Sequence, residues 1–340
     1  MLADTYFQSI SPVTCAHDGY IYLFALNVFF AKNFAMISAD LTSKLIKTES
    51  RTSWRSIRDR ALHKTDHMKP AQSIDASVDF FEDSGKILIA ANGMMDKSIA
   101  GKKYKYIFRN TFGESEMGAS MADHAARAGA DRIAIYHSDT EYENNMGMAF
   151  SKRALENGLK VLDDVSEIGS QKDFDNIFKR WEAIGVNCVM ISQESIADAF
   201  SLAERIRKKS DNIKIYGDFS FDAEEMLMEY KEYVEGIIIP TLVPINQSEE
   251  LDNFNARYEE IYGSVPTWWA AHTYDTVRMV LDTAVQAGSN SPEKIAEGLH
   301  SESGYQGITG KIMFDENGLL TNVNPVYSIV EDGRLVNLNE

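Results

Sequence analysis

Between Lys86 and Pro240 the chain alternates short apolar runs with amphipathic segments at a steady pace, and this alternation restricts the fold more than any other feature. The runs KILIAA (from Lys86), YKYIFRN (from Tyr104), RIAIYH (from Arg132), KVLDDVS (from Lys160), NCVMIS (from Asn187), IKIYGD (from Ile213) and EGIIIP (from Glu235) are predicted strands. Between most of them lie predicted helices, over Ser115–Ala128, Asn144–Asn157, Asp173–Ile184, Ile196–Lys209 and Asp222–Tyr230. Apolar strands separated by helices of this length form βαβ units, whose parallel sheets are covered on both faces. No solenoid-type repeat is present in the sequence.

The last third carries a second set of signals. Val277, Val280, Leu281 and Ala284 line one face of a helix that stops at Gly288, a residue suited to a helix C-terminus. A helix over Pro292–Leu299, a Gly-rich turn, a strand over Lys311–Phe314 and an Asp-Glu-Asn-Gly turn follow. At the other end, helices are predicted over Ile21–Asn33 and Trp54–His63, and KLIKTES (from Lys44) reads as a strand. The apolar run Tyr20–Ala31 is too short to span a membrane and contains Asn27, so it is expected to be a buried helix.

At 340 residues the chain is long enough for two lobes with a large core. Residues 1–86 are charge-neutral, so the net charge of −17 resides in the remainder. Such an acidic surface repels phosphate backbones and argues against a nucleic-acid partner. The basic stretch Leu41–Pro70 reads as a solvated helix face. The two cysteines, Cys15 and Cys188, do not form a disulfide framework. The opening MLADTYFQSISPVTC lacks the basic stretch of a signal peptide. His63 and His67 have helical i, i+4 spacing but lack the Glu of the HExxH zinc motif, so no metal is expected. No GxSxG elbow, phosphate-binding P-loop or GxGxxG fingerprint occurs, so neither catalysis nor a cofactor is expected.

An ordered series of segments carries a family resemblance: FFEDSGKILIAAN (from Phe80), YKYIFRNTFGESEMGASMADHAA (from Tyr104), RIAIYHSDTEYENNMGMAFSKRALENG (from Arg132) and IYGSVPTWWAAHTYDTVRMVLDTAVQAGS (from Ile261). The series, over about Phe80–Asn339, resembles the type I periplasmic binding proteins, the leucine/isoleucine/valine-binding family. The resemblance implies an α/β fold of two Rossmann-like lobes with parallel sheets, joined by three hinge crossovers. It places the first lobe at residues 1–113 plus 244–320 and the second at 114–243 plus 321–340. It implies a solute-binding component of an ABC importer, periplasmic or extracellular, which takes a small amino acid or amide between its lobes and works with a permease. The alternative is an intracellular ligand sensor built on the same fold, which the missing signal peptide favours.

The resemblance also nominates binding residues. In the first lobe Ser73 matches the family's ligand-contacting serine, and Asn92 and Gly93 offer backbone donors in the second contact loop. In the second lobe Glu194 lies near the family's aromatic position and Phe219 near its acid, with Asp218 beside it, so the acid and the aromatic have traded places. Glu114, in the first crossover, and Tyr142, after RIAIYH, complete the set. Arg109 is expected to tie the crossover to a carboxylate, and Trp268 and Trp269 to pack in the core.

Overall fold

The computed structural model describes residues 12–17, 20–25, 70–91, 94–166, 169–242, 248–263, 266, 268–321 and 325–338. In chain order the elements are β1 (Pro12–His17), β2 (Tyr20–Ala25), α1 (Pro70–Asp83), β3 (Leu88–Ala90), α2 (Asp96–Ile99), β4 (Ile107–Arg109), α3 (Glu114–Arg127), β5 (Arg132–His137), α4 (Glu141–Glu156), β6 (Lys160–Ser166), α5 (Gln171–Ile184), β7 (Cys188–Ser192), α6 (Ile196–Arg207) and β8 (Lys214–Gly217). A 3₁₀ turn (Phe219–Phe221) leads to α7 (Glu224–Glu229), α8 (Lys231–Val234), β9 (Ile238–Thr241), α9 (Glu249–Tyr262), α10 (Trp268–Gln286), α11 (Pro292–Leu299), β10 (Tyr305–Gly307), β11 (Gly310–Ile312), β12 (Val326–Glu331) and β13 (Arg334–Asn337). All seven strands predicted between Lys86 and Pro240 form. The helices predicted between them form too, the one over Asp222–Tyr230 shortened to α7.

The chain divides into two compact units, Met1–Thr111 with Asn246–Val323, and Phe112–Ile245 with Asn324–Glu340. It therefore passes between them three times.

The first unit is built around the sheet β2-β1-β3-β4, in which β3 and β4 run parallel and β1 is antiparallel to both neighbours, β2 and β3. The strand period of two splits its core cleanly. Ile87, Ile89 and Phe108 pack against Met279 and Val280 of α10 and Ile295 of α11. Leu88, Ala90 and Ile107 face the other way, onto Ile74, Val78 and Phe81 of α1. Arg109 is 2% exposed and pairs with Asp96 at 2.5 Å, which fulfils the expected tie to a carboxylate. Asp275, buried on α10, accepts from the backbone N–H of Ile308 (2.9 Å) and Thr309 (2.7 Å) and so clamps the β10–β11 hairpin.

One prediction fails here. Ile21–Ala25 does not open a helix but lies in β2, paired antiparallel with β1. An unbroken apolar run has no periodicity to separate a helix from a strand, and pairing with Pro12–His17 decides it. The rest of Ile21–Asn33, Trp54–His63 and KLIKTES lie outside the described residues.

The second unit holds a seven-stranded sheet, order β13-β12-β9-β8-β7-β5-β6. Strands β5 to β9 are mutually parallel, and β12 and β13 are added antiparallel at one edge. Ala134, Tyr136, Val189 and Ile191 pack against Phe174 and Trp181 of α5 and Phe200 of α6. Helices α3 and α4 pack tightly on each other, and the reason is Gly118. A Cβ there would sit 2.3 Å from the Met146 carbonyl oxygen and 2.9 Å from the Phe150 nitrogen. Replacing Gly118 by valine should force the two helices apart and lower stability by about 1–3 kcal/mol. Urea denaturation checks this, and an unchanged midpoint would show that the helices do not need the close approach.

Candidate functional site

The five parallel strands of the second unit run in the order β6-β5-β7-β8-β9. Numbered from β5, this is the doubly wound order 2-1-3-4-5, whose direction of winding reverses between the first and third strands. Open α/β sheets bind ligands outside the carboxyl ends of their strands at that reversal. Here it lies between the ends of β5 and β7, where His137 and Ser192 are paired.

Ser138 joins the two loops that leave this point. Its N–H donates to the Ser192 carbonyl (3.0 Å) and its hydroxyl to Gln193 Oε1 (3.0 Å), while its Oγ accepts from the Glu194 N–H (3.1 Å). Gln193 Nε2 reaches back to the Tyr136 carbonyl at 3.3 Å. Just before Ser138, His137 sets Nδ1 2.8 Å from the Ser138 carbonyl and Nε2 2.9 Å from Asp164 Oδ1 on β6. The Asp164 hydrogen bond raises the His137 pKa against the opposing effect of burial.

Asp218 follows β8. Its Oδ2 accepts from the Ser192 hydroxyl (2.7 Å), and its Oδ1 from the Ser220 N–H (2.9 Å) and hydroxyl (2.5 Å). The carboxyl is 6% exposed, and burial raises its pKa despite these three donors. No cation among the described residues forms an ion pair with it. Gly217 admits the turn that carries it, since a Cβ there would lie 2.2 Å from the Phe221 ring.

The predicted residues divide by unit. Glu114 begins α3, and Tyr142 lies in the first turn of α4. Helices in βαβ units start at the carboxyl edge of the sheet, so these two share an edge with Glu194, Asp218 and Phe219. Glu114 is 1% exposed and accepts from Asn145 Nδ2 at 3.2 Å; Glu194 is exposed; Tyr142 and Phe219 are half-buried. In the first unit Ser73 is not in a loop: it falls in the first turn of α1, which begins at Pro70 because proline suits a helix start. Asn92 and Gly93 lie outside the described residues. Trp268 is buried and stacks on Trp269, 3.7 Å between centroids. Sequence reasoning missed His137, Ser138 and Gln193, although His137 and Ser138 stand in a segment that carried the resemblance.

The sequence profile of the family described as periplasmic binding protein matches residues 70–334. The chain belongs to that family. Like its other members, this periplasmic binding protein is a solute-binding protein and not an enzyme. It is similar to the leucine-, isoleucine-, valine-, threonine- and alanine-binding protein of Pseudomonas aeruginosa, with 23% identity over 74% of this chain and 67% of the relative. Its fold matches an ABC transporter substrate-binding protein from Desulfitobacterium hafniense solved with Leu, at TM-score 0.75, 19% identity, and 91% and 95% coverage of this chain and that one. A leucine binding protein from Thermotoga maritima matches at TM-score 0.73, with 21% identity and 91% and 92% coverage. The fold is therefore the type I fold, as the sequence implied. Among the described residues no helix is long and apolar enough to cross a membrane.

Asp218 makes stability depend on pH in a definite direction. Its folded pKa is raised above 3.8, so its contribution to stability is full below that value and lost as pH rises through the folded value. Asp218→Asn removes this titration. Compared with the native chain, the variant should gain in stability from acid to neutral pH in guanidinium denaturation. A constant difference would show that the carboxyl does not bear an uncompensated charge.

Proposed function

We propose that this periplasmic binding protein captures a small amino acid of the aliphatic class and delivers it to the permease of an ABC importer, outside the cytoplasmic membrane. In this reading the lobes are residues 1–113 plus 244–320 and residues 114–243 plus 321–340. The ligand lies between them, and the three crossings act as hinges. One observation carries the ligand class: Asp218 is a buried carboxylate at the ligand edge of the sheet, bonded by two hydroxyls and an amide but forming no ion pair among the described residues. A buried charge held by neutral donors alone is costly, and an ammonium group arriving at that edge would relieve the cost. The ligands of the relatives, leucine and other small amino acids, carry such a group.

The remaining roles extend the same reading. Tyr142 and Phe219 are half-buried rings at the same edge, suited to an aliphatic side chain. Glu194 is an exposed carboxylate of the β7 loop, and Glu114 a buried one bonded to Asn145. Asn92 and Gly93 would offer backbone N–H groups to the ligand carboxylate, with Ser73 as a further hydroxyl.

Leucine, isoleucine, valine, alanine, threonine and short amides should be compared by thermal shift and calorimetric titration. A true ligand at a hundredfold excess over Kd stabilises the native state by about 2.7 kcal/mol. One or more of the amino acids should bind, and Asp218→Asn should weaken binding by about a hundredfold, the scale of a lost charge-assisted hydrogen bond. Undiminished binding by the variant would remove Asp218 from the site. The absence of a shift with every compound would overturn the ligand class.

A further inference from the structure

We propose that His137 is a positioning residue whose imidazolium holds the Ser138 loop, and through it the ligand edge of the second unit, in binding geometry. The inference rests on the reading that this edge receives the ligand. The geometry around the ring carries it. Nδ1 faces a backbone carbonyl at 2.8 Å and Nε2 faces a carboxylate at 2.9 Å. Neither the carbonyl nor an ionised carboxylate can donate a hydrogen bond, and a neutral imidazole has only one N–H. Only the doubly protonated ring satisfies both contacts. His137 is 6% exposed, so solvent has little room to replace either one.

The groups around the ring point the same way. Asp164 faces it from β6 and Asp139 acts on it from its own loop, both acidic. On the α4 side the approach is backbone: a Cβ on Gly147 would lie 3.5 Å from the ring. From β7 the neighbour is Ser192, which is neutral.

The consequence reaches the site through a short chain of bonds. The ring grips the Ser138 carbonyl; the Ser138 amide and hydroxyl hold Ser192, Gln193 and the Glu194 N–H; and Ser192 donates to Asp218. Loss of the proton leaves one contact as acceptor against acceptor and frees the loop. The folded pKa is raised above 6.5, so the grip is full below that value and lost as pH rises through the folded one. Asp164 is half-exposed, and solvent screening moderates its part in the pair.

The test uses the full chain with leucine as the probe, titrated calorimetrically from about pH 6 to pH 9, the range in which histidine switches. Nitrogen NMR of the His137 ring is recorded in parallel on ligand-free protein. The ring should carry both protons at the acid end. Leucine affinity should then fall with rising pH, by at most about tenfold per unit. His137→Gln should flatten that profile, and Asp164→Asn should move its midpoint to lower pH, shifts that a purely structural role would not produce. A ring with a single proton at the acid end overturns the inference, as does a flat native profile with leucine bound. If leucine fails to bind at any pH, the proposed ligand class is at fault. Amide exchange at Ser138 and Glu194 then decides the inference: protection lost across the ring's titration, and not in His137→Gln, supports it, and protection indifferent to the ring overturns it.

Discussion

Burial of a parallel sheet on both faces is the constraint from which the rest of this molecule follows. Once β5, β7 and β8 are covered by helices, their side chains are committed to packing, and only the strand ends remain for polar chemistry. The carboxyl ends are the useful ones, because each releases a loop before the next helix begins. The winding order of the second unit separates two such loops in direction at the β5–β7 reversal. Ser138 bridges them, so the polar edge is one bonded network rather than a set of independent loops.

Asp218 shows how such an edge holds a buried carboxylate in place. Its hydroxyl and amide donors orient the carboxylate without neutralising it. A lysine or arginine in their place would stabilise the empty protein and compete with a cationic ligand. Neutral donors fix the geometry and leave the charge available, at a cost in stability to the free protein. Asp275 is bonded in a similar way, yet its partners are the backbone of the β10–β11 turn and a threonine, and its carboxylate is spent on closing a hairpin. Two buried aspartates with comparable bonding therefore stand in different settings, one at the carboxyl edge of a parallel sheet and one against a hairpin, and only their position in the topology tells them apart.

Much of this was legible in the sequence because it is local. Apolar runs such as NCVMIS and EGIIIP are buried strands whichever neighbours they pair with, and the amphipathic segments between them can cover only a sheet. Asp218 and Phe219 were nominated by the family resemblance of the loop after IKIYGD, and the structure has them directly after β8. The N-terminal region was not legible. Tyr20–Ala25 is apolar without a break, and its strand state comes from pairing with β1, a tertiary fact. Ser73 matches the family's ligand-contacting serine, but it stands in the first turn of a helix that starts at Pro70. Helix α9, Glu249–Tyr262, buries only Leu251 and Tyr258 among its apolar residues and gave the sequence pattern little to show.

His137 was invisible for a more instructive reason. Its partner is chosen by a register shift between β5 and β6, where Ile133 pairs with Val161 but Ala134 pairs with Asp163, leaving Leu162 as the extra residue. Without that bulge Asp163 would pair with Ile135 and lie on the His137 face, and Asp164 would turn toward the opposite core. With it, Asp163 faces α5 and accepts from Trp181 Nε1 at 2.7 Å and from Arg180, while Asp164 meets the imidazole. Side chains alternate with a period of two, so a one-residue insertion exchanges the roles of adjacent aspartates. Nothing in the string KVLDDVS states which aspartate takes which role. The bulge makes that choice, and the carboxylate that meets the His137 ring at the edge of the sheet follows from it.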